Sequence, residues 1–206
     1  VEDIGYFADD LGAGVTYNNN PSKSRRQQLI RRVSNLVTSR CNTFTIWGMA
    51  QTIKEVGTPD GLLCTGDLSD QGSVQAYRRL IGYLSAIAAP DFWLPGNHDD
   101  RSQMVAAVSG SNRLCGEVQA GGWQIVKLNS QIPGAVGGRL GDAERQRLQA
   151  SLERAQAQGL YTLICLHHQP VAIGSAWIDE QMVQDADQFW KIVEGFDSVK
   201  GVLWGH

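Results

Sequence analysis

The residues best equipped for chemistry in this 206-residue chain fall in four clusters: Asp67 with Asp70; Asn97 with His98 and Asp99; His167 with His168; and His206. The chain has only four histidines, and each sits next to the end of an apolar run of the kind that forms a buried strand. Carboxylate, amide oxygen and imidazole together suit a divalent metal of the Mn, Fe or Zn kind. A pair of such ions is a recurring device for phosphoester hydrolysis, which needs a bridging carboxylate, neutral ligands and an acid for the leaving oxygen. Taken alone, Gly96-Asn97-His98-Asp99 reads equally well as a polar turn, since Asn and Asp favour turns on their own account. Recurrence of such clusters at successive strand ends favours a site, because open α/β sheets place their chemistry at the carboxyl ends of strands.

Those clusters require strands that deliver them to one edge. Strands are expected at 61–65, through 92–94, at 123–128, at 161–166 and at 202–204. Between them lie helical patterns. Ser73 caps a stripe of Val74, Tyr77, Leu80, Ile81, Leu84 and Ile87, and shorter or longer helices are expected at 102–108, 142–158 and 180–193. Further helices are expected at 22–40 and 45–56. Residues 133–141 read as a flexible glycine-rich loop. Alternation of strand and helix over the whole length implies an α/β architecture with a largely parallel sheet, in one domain over 1–206.

Bulk properties narrow the class. A net charge of −3, with 42% hydrophobic and 19% charged residues, gives no basic surface for nucleic acid. No apolar run is long enough for a membrane span. The cysteines, Cys41, Cys64, Cys115 and Cys165, show no paired spacing, so a reducing, cytoplasmic setting is expected. Cys64 and Cys165 read as small buried hydrophobes. Gly12-Ala13-Gly14 lacks the preceding strand and third glycine of a dinucleotide fingerprint.

Gly66-Asp67-x-x-Asp70-x-Gly72, Gly96-Asn97-His98-Asp99, His167-His168 and Gly205-His206 resemble the calcineurin-like metallophosphoesterase superfamily in order and spacing. Trp93-Leu94-Pro95 before the second motif, Gly121-Gly122-Trp123-Gln124 and Gly137-Gly138-Arg139-Leu140 are similar to bacterial class III cyclic-nucleotide phosphodiesterases. The resemblance implies an α/β sandwich with α-β-β-α layers, truncated at its C-terminal end, and a domain incomplete at both ends. It implies two divalent ions, Fe or Mn with Zn as an alternative, and hydrolysis of small phosphodiesters by a hydroxide held between them. Cyclic nucleotides such as cyclic AMP are the expected substrates, with no nucleic-acid or membrane partner and a homodimer as a possible assembly.

By the same resemblance Asp67 bridges the metals, while Asn97, His167 and His206 complete the second site. Asn97 and His98 face the substrate phosphate, and His98 is the catalytic residue that either protonates the leaving oxygen or steadies the transition-state charge. His168 is a further candidate for substrate contact, and Asp70 and Asp99 are expected to order their loops. Two departures bear on the first metal site. Asp3 matches a family ligand, but Gly5 stands where the family has a histidine, and the final histidine of the Gly-His-x-His motif is absent. One tightly held ion is therefore expected. A non-catalytic or single-metal scaffold of the same fold, and a hydrolase of glycerophosphodiesters or other small phosphoesters, are the alternatives.

Overall fold

A computed structural model describes residues 61–87 and 89–206. Asp3, Gly5 and the helices expected at 22–40 and 45–56 lie outside the described residues.

The first unit of the fold is a parallel pair. Strand β1 (Leu62–Cys64) runs beside β2 (Asp91–Trp93), with Leu63 opposite Phe92. Helix α1 (Val74–Leu84) makes the crossover. Its first turn is secured by Ser73, whose side chain accepts a hydrogen bond from Ala76 N at 3.3 Å, satisfying one of the donors a helix start leaves open. Helix α2 (Arg101–Ala107) follows β2, and here Asp100 is the cap, accepting from Gln103 N at 3.0 Å. The second aspartate of the Asp99-Asp100 pair thus serves a helix start. Tyr77, Leu84, Trp93 and Met104 form the buried centre of this unit, with Leu62, Cys64, Leu80 and Ile81 against it.

The second unit is a four-stranded sheet in the order β3 (Glu117–Ala120), β4 (Trp123–Lys127), β5 (Tyr161–Cys165), β6 (Val199–Leu203). Strands β4, β5 and β6 are parallel, whereas β3 joins β4 as an antiparallel hairpin across Gly121-Gly122. Helices α3 (Gly141–Ala157) and α5 (Ala186–Val193) supply the crossovers. Leu148, Leu152 and Ala155 lie on one face of α3 at helical spacing and bury against Val126, Ile164 and Phe189. Each such leucine removed from water contributes about 2 kcal/mol, so Leu152→Ala would open a cavity in the middle of the cluster.

The expected architecture is present as an α/β fold, with three differences from the sequence reading. Among the described residues the strands divide between two sheets rather than forming one. Strand β3 carries no apolar run and was not anticipated; its pairing with β4 defines it. The helix expected at 180–193 is two, α4 (Ala176–Asp179) and α5. Between them Val183 pairs with Gly138, and Asp185 accepts from Leu140 N (2.9 Å) and Gly141 N (2.8 Å). Those bonds draw the backbone out of helical geometry and pin residues 133–141, the stretch whose glycines had suggested a loose loop.

The two sheets are stitched by Lys127. Its buried Nζ donates to Trp93 O at 3.0 Å and to Arg113 O at 2.8 Å, so one ammonium satisfies carbonyls at the edge of β2.

Candidate metal centre

Four strand ends meet where the sheets adjoin. After β1 the chain passes through Gly66 (φ +102°) and Asp67 (φ +54°), both in the left-handed region, which turns the Asp67 carboxylate back over the strand end. Gly66 also admits His167: a Cβ there would collide with His167 Nδ1 and lie 2.8 Å from Gly96 N. Gly96 is required for the same reason, since a Cβ would meet Asp67 and come within 2.8 Å of His167 Cε1. The glycine of each motif thus makes room for the ligand of another.

His167 follows β5 and is fully buried. The chain after β6 curls over it, with Gly205 N and His206 N both donating to His167 O, at 3.0 and 2.9 Å. Around His167 Nε2 stand Asp67 Oδ2 at 3.3 Å, Asn97 Oδ1 at 3.2 Å and His206 Nδ1 at 3.1 Å. Asp67, Asn97, His167 and His206, four of the five residues expected from the sequence to hold metal, are therefore brought together; the fifth, Asp3, is outside the described residues.

The outer nitrogens explain why this arrangement suits a cation. His167 Nδ1 lies 2.8 Å from Thr65 O. A carbonyl only accepts, so Nδ1 carries the proton and the Nε2 of neutral His167 presents a lone pair. His206 Nε2 lies 2.6 Å from Gln181 Oε1, which likewise leaves the His206 Nδ1 lone pair facing inward. Two imidazole lone pairs, a carboxylate oxygen and an amide oxygen then point at one another, an arrangement that a divalent ion satisfies and that hydrogen bonds between neutral groups do not. The donor set fits the group that the motifs imply.

Electrostatics agree. Burial raises the Asp67 pKa, but positive charge at His167, hydrogen-bonded to Asp67 when that ring is protonated, and the backbone donor of His98 outweigh it, leaving Asp67 below the usual carboxylate range. Burial, assisted by neighbouring His167, pulls the His206 pKa down, favouring the neutral ligand form.

His98 sits at the rim. Its backbone N donates to Asp67 Oδ1 at 3.1 Å, while its side chain is 51% exposed, with Nδ1 at 3.4 Å from Asp70 O. It adds no atom to the ligand cluster and remains accessible to a bound molecule. Asp99, by contrast, is buried and accepts from Leu68 N, Ser69 N and Gly96 N, tying the two motif loops together.

His168 lies near the cluster, and nitrogens of His167, His168 and His206 fall within 4.8 Å of one another. However, His168 Nε2 is 2.9 Å from Val136 O, and Nδ1 is 2.8 Å from Ser130 Oγ. Both ring nitrogens are engaged, and burial together with His167 and His206 lowers the His168 pKa to about 3. Neutral His168 binds loop 130–138 to the centre. Thr65, Ser130 and Gln181 are not among the site residues expected from the sequence. Ser130 sits at a strand end, which was a usable signal; Thr65 contributes only a backbone atom, and Gln181 lies in an unremarkable polar run.

The family model for calcineurin-like phosphoesterases matches residues 39–206. The 3',5'-cyclic adenosine monophosphate phosphodiesterase CpdA of Vibrio vulnificus is 39% identical over 150 residues, 71% of this chain and 54% of that protein. CpdA of Pseudomonas aeruginosa is 37% identical over 147 residues, covering 71% and 53%. A 3',5'-cyclic-nucleotide phosphodiesterase of Nostoc sp. is 36% identical over 152 residues, covering 71% and 55%. The chain thus spans about half the length of these curated relatives. A dimetal phosphatase from Danio rerio superposes with a TM-score of 0.56 at 17% identity, over 70% of this chain and 65% of the other, a likeness of fold.

Proposed function

Because the chain belongs to the calcineurin-like phosphoesterase family, we propose that it is a metal-dependent phosphodiesterase acting on 3',5'-cyclic nucleotides, cyclic AMP foremost. The observation that carries the reading is the convergence of Asp67 Oδ2, Asn97 Oδ1 and His206 Nδ1 on His167 Nε2, with the outer imidazole nitrogens committed to Thr65 O and Gln181 Oε1. Similarity to relatives named as cyclic-nucleotide phosphodiesterases supports the substrate class.

A divalent ion held by this cluster would supply Lewis acidity toward the phosphate oxygens and the attacking water. The chain's own groups do the rest. Asp67 is held in place by its turn and by His98 N, and Asn97 offers its amide beside the phosphate. His98 stands exposed at the rim, where its ring donates a proton to the departing ribose oxygen as the P–O bond breaks and the attacking water, giving up its own proton to solvent, bonds to phosphorus. The one ion that these four residues would hold tightly would be Mn²⁺ or Fe²⁺, with Zn²⁺ as the alternative. Among the described residues no helix is long and apolar enough to cross a membrane.

The test is a thermal shift on adding Mn²⁺ together with an assay of cyclic AMP hydrolysis, each repeated on Asp67→Ala. Stabilisation of the parent chain of about 3 kcal/mol at a hundredfold excess over Kd, absent in the variant, supports the reading. Binding without turnover of cyclic AMP, or of a glycerophosphodiester in its place, would favour a metal-binding scaffold. No shift and no turnover would overturn both.

A further inference from the structure

We propose that Gln181 is a positioning residue for the metal centre, holding His206 in the tautomer that aims the Nδ1 lone pair at the other three donors. The inference rests on the metal reading above and extends it to a side chain outside the recognised motifs.

Gln181 is fixed from four directions. Its backbone N donates to Ile178 O at 2.9 Å, and its backbone O accepts from Gly138 N at 3.2 Å. Its side-chain Nε2 donates to Trp177 O at 3.2 Å. That bond decides which way round the amide stands: the nitrogen must face the Trp177 carbonyl, so the oxygen faces His206. With Oε1 at 2.6 Å from His206 Nε2, the ring proton must reside on Nε2. His206 Nδ1 is then left as an acceptor, 3.1 Å from His167 Nε2.

The two histidines of the cluster are oriented by different means. His167 uses the Thr65 carbonyl, a backbone group that every residue type at 65 would supply. His206 depends on one side chain. An imidazole whose outer N–H lacks an acceptor samples both tautomers and rotates more freely, which lowers its strength as a ligand; removing such a partner costs about 10- to 100-fold in metal affinity. Because Gln181 also bonds Trp177 and Gly138, the segment carrying α4 and the loop beside His168 share the strut that sets His206.

The experiment compares the parent chain with Gln181→Leu, Gln181→Met and Gln181→Glu by Mn²⁺ titration against a competing chelator. Long-range ¹H–¹⁵N spectra of the metal-free proteins provide a second readout, tractable because there are only four histidines. Gln181→Leu and Gln181→Met are expected to bind Mn²⁺ about 10- to 100-fold more weakly and to show mixed His206 tautomers. Gln181→Glu, whose carboxylate still accepts from Nε2, should retain the parent tautomer and an affinity within a few fold. The Met variant, close to Gln in length, covers the case in which Leu does not fold. Parent-like affinity and tautomer in a folded Leu or Met variant would overturn this inference alone. A parent chain that binds no divalent ion would overturn the metal reading and the inference with it.

Discussion

Tyr77 Oη donates to Asp99 Oδ1 at 2.9 Å, and that bond joins helix α1 to the two loops that carry Asp67 and Asn97. Asp99 also accepts from Leu68 N (3.1 Å), Ser69 N (3.0 Å) and Gly96 N (2.9 Å). The Tyr77 hydroxyl in turn accepts from Asp100 N at 3.0 Å. A carboxylate with four donors is the reason a third acidic residue sits beside Asn97 and His98 without joining the ligand set. Burial raises the Asp99 pKa, so the donors are what make a carboxylate tolerable there.

Asp99→Asn should therefore be costly. The amide offers one acceptor oxygen where four donors converge, and its own N–H₂ opposes them. A loss of about 3 kcal/mol in urea-measured stability is expected, with weaker Mn²⁺ binding because both ligand loops loosen. Tyr77→Phe removes one donor and should cost about 1–2 kcal/mol. Equal, negligible losses in the two variants would show that Asp99 does not hold the loops.

Gly96→Ala tests the close approach of the motifs. The added Cβ would lie 2.5 Å from Asp67 N and 2.8 Å from His167 Cε1, both on groups with nowhere to move. Overpacking of this kind costs about 1–3 kcal/mol. The metal-induced thermal shift should disappear as Asp67 and His167 separate. A variant that keeps the shift would mean the loops are more compliant than their geometry implies.

His98→Gln separates binding from chemistry. The backbone N–H to Asp67 survives the substitution, and the ring contributes nothing to the cluster, so Mn²⁺ affinity should be unchanged. Hydrolysis of cyclic AMP should fall by about 10²- to 10⁴-fold, the usual worth of a placed acid. A phosphodiester with a p-nitrophenolate leaving group needs no such proton and should lose far less. Equal losses on the two substrates would exclude His98 as the acid.

Alkaline stability should be governed by buried thiols. Burial pushes Cys64 and Cys165 from 9.0 up to about 12. The folded state thus keeps protons that the unfolded chain loses, so this contribution is complete below about pH 9 and is lost as pH rises toward 12. Burial has the opposite effect on Lys127, lowering it from 10.5 to about 8, which adds stability as pH rises between those values. One amine gains while two thiols lose, so urea-measured stability should peak near pH 8–9 and fall by pH 11. Cys165→Ala should flatten the fall between about pH 9 and 10.5; an unchanged slope would mean Cys165 titrates normally.

Much of the centre was legible because metal ligation demands particular residue types, and those types are rare enough to stand out. Four histidines at strand ends leave few ways to be arranged, and Gly66 and Gly96 mark the same motifs. Tyr77 was legible only as a member of an apolar stripe, since nothing local distinguishes a hydroxyl aimed at Asp99 from one aimed at solvent. Strand β3 was hidden for a related reason. Glu117-Val118-Gln119-Ala120 has no apolar run, and its extended form is imposed by hydrogen bonds to β4.

Side-chain chemistry and its periodicity along the chain were sufficient for the α/β class and the order of the motifs, and the resemblance of those motifs to a known family singled out Asp67, Asn97, His167 and His206 as ligand candidates. Only the tertiary structure decided which way each imidazole faces. His167 and His168 are adjacent and chemically identical, yet one turns toward Asp67 and Asn97 while the other is committed to Ser130 and Val136. The choice depends on acceptors distant in sequence: Thr65 O for His167 and Gln181 Oε1 for His206. Such acceptors are brought into range by the packing of the two sheets, and a backbone carbonyl or an ordinary glutamine carries no mark of that role in the chain itself.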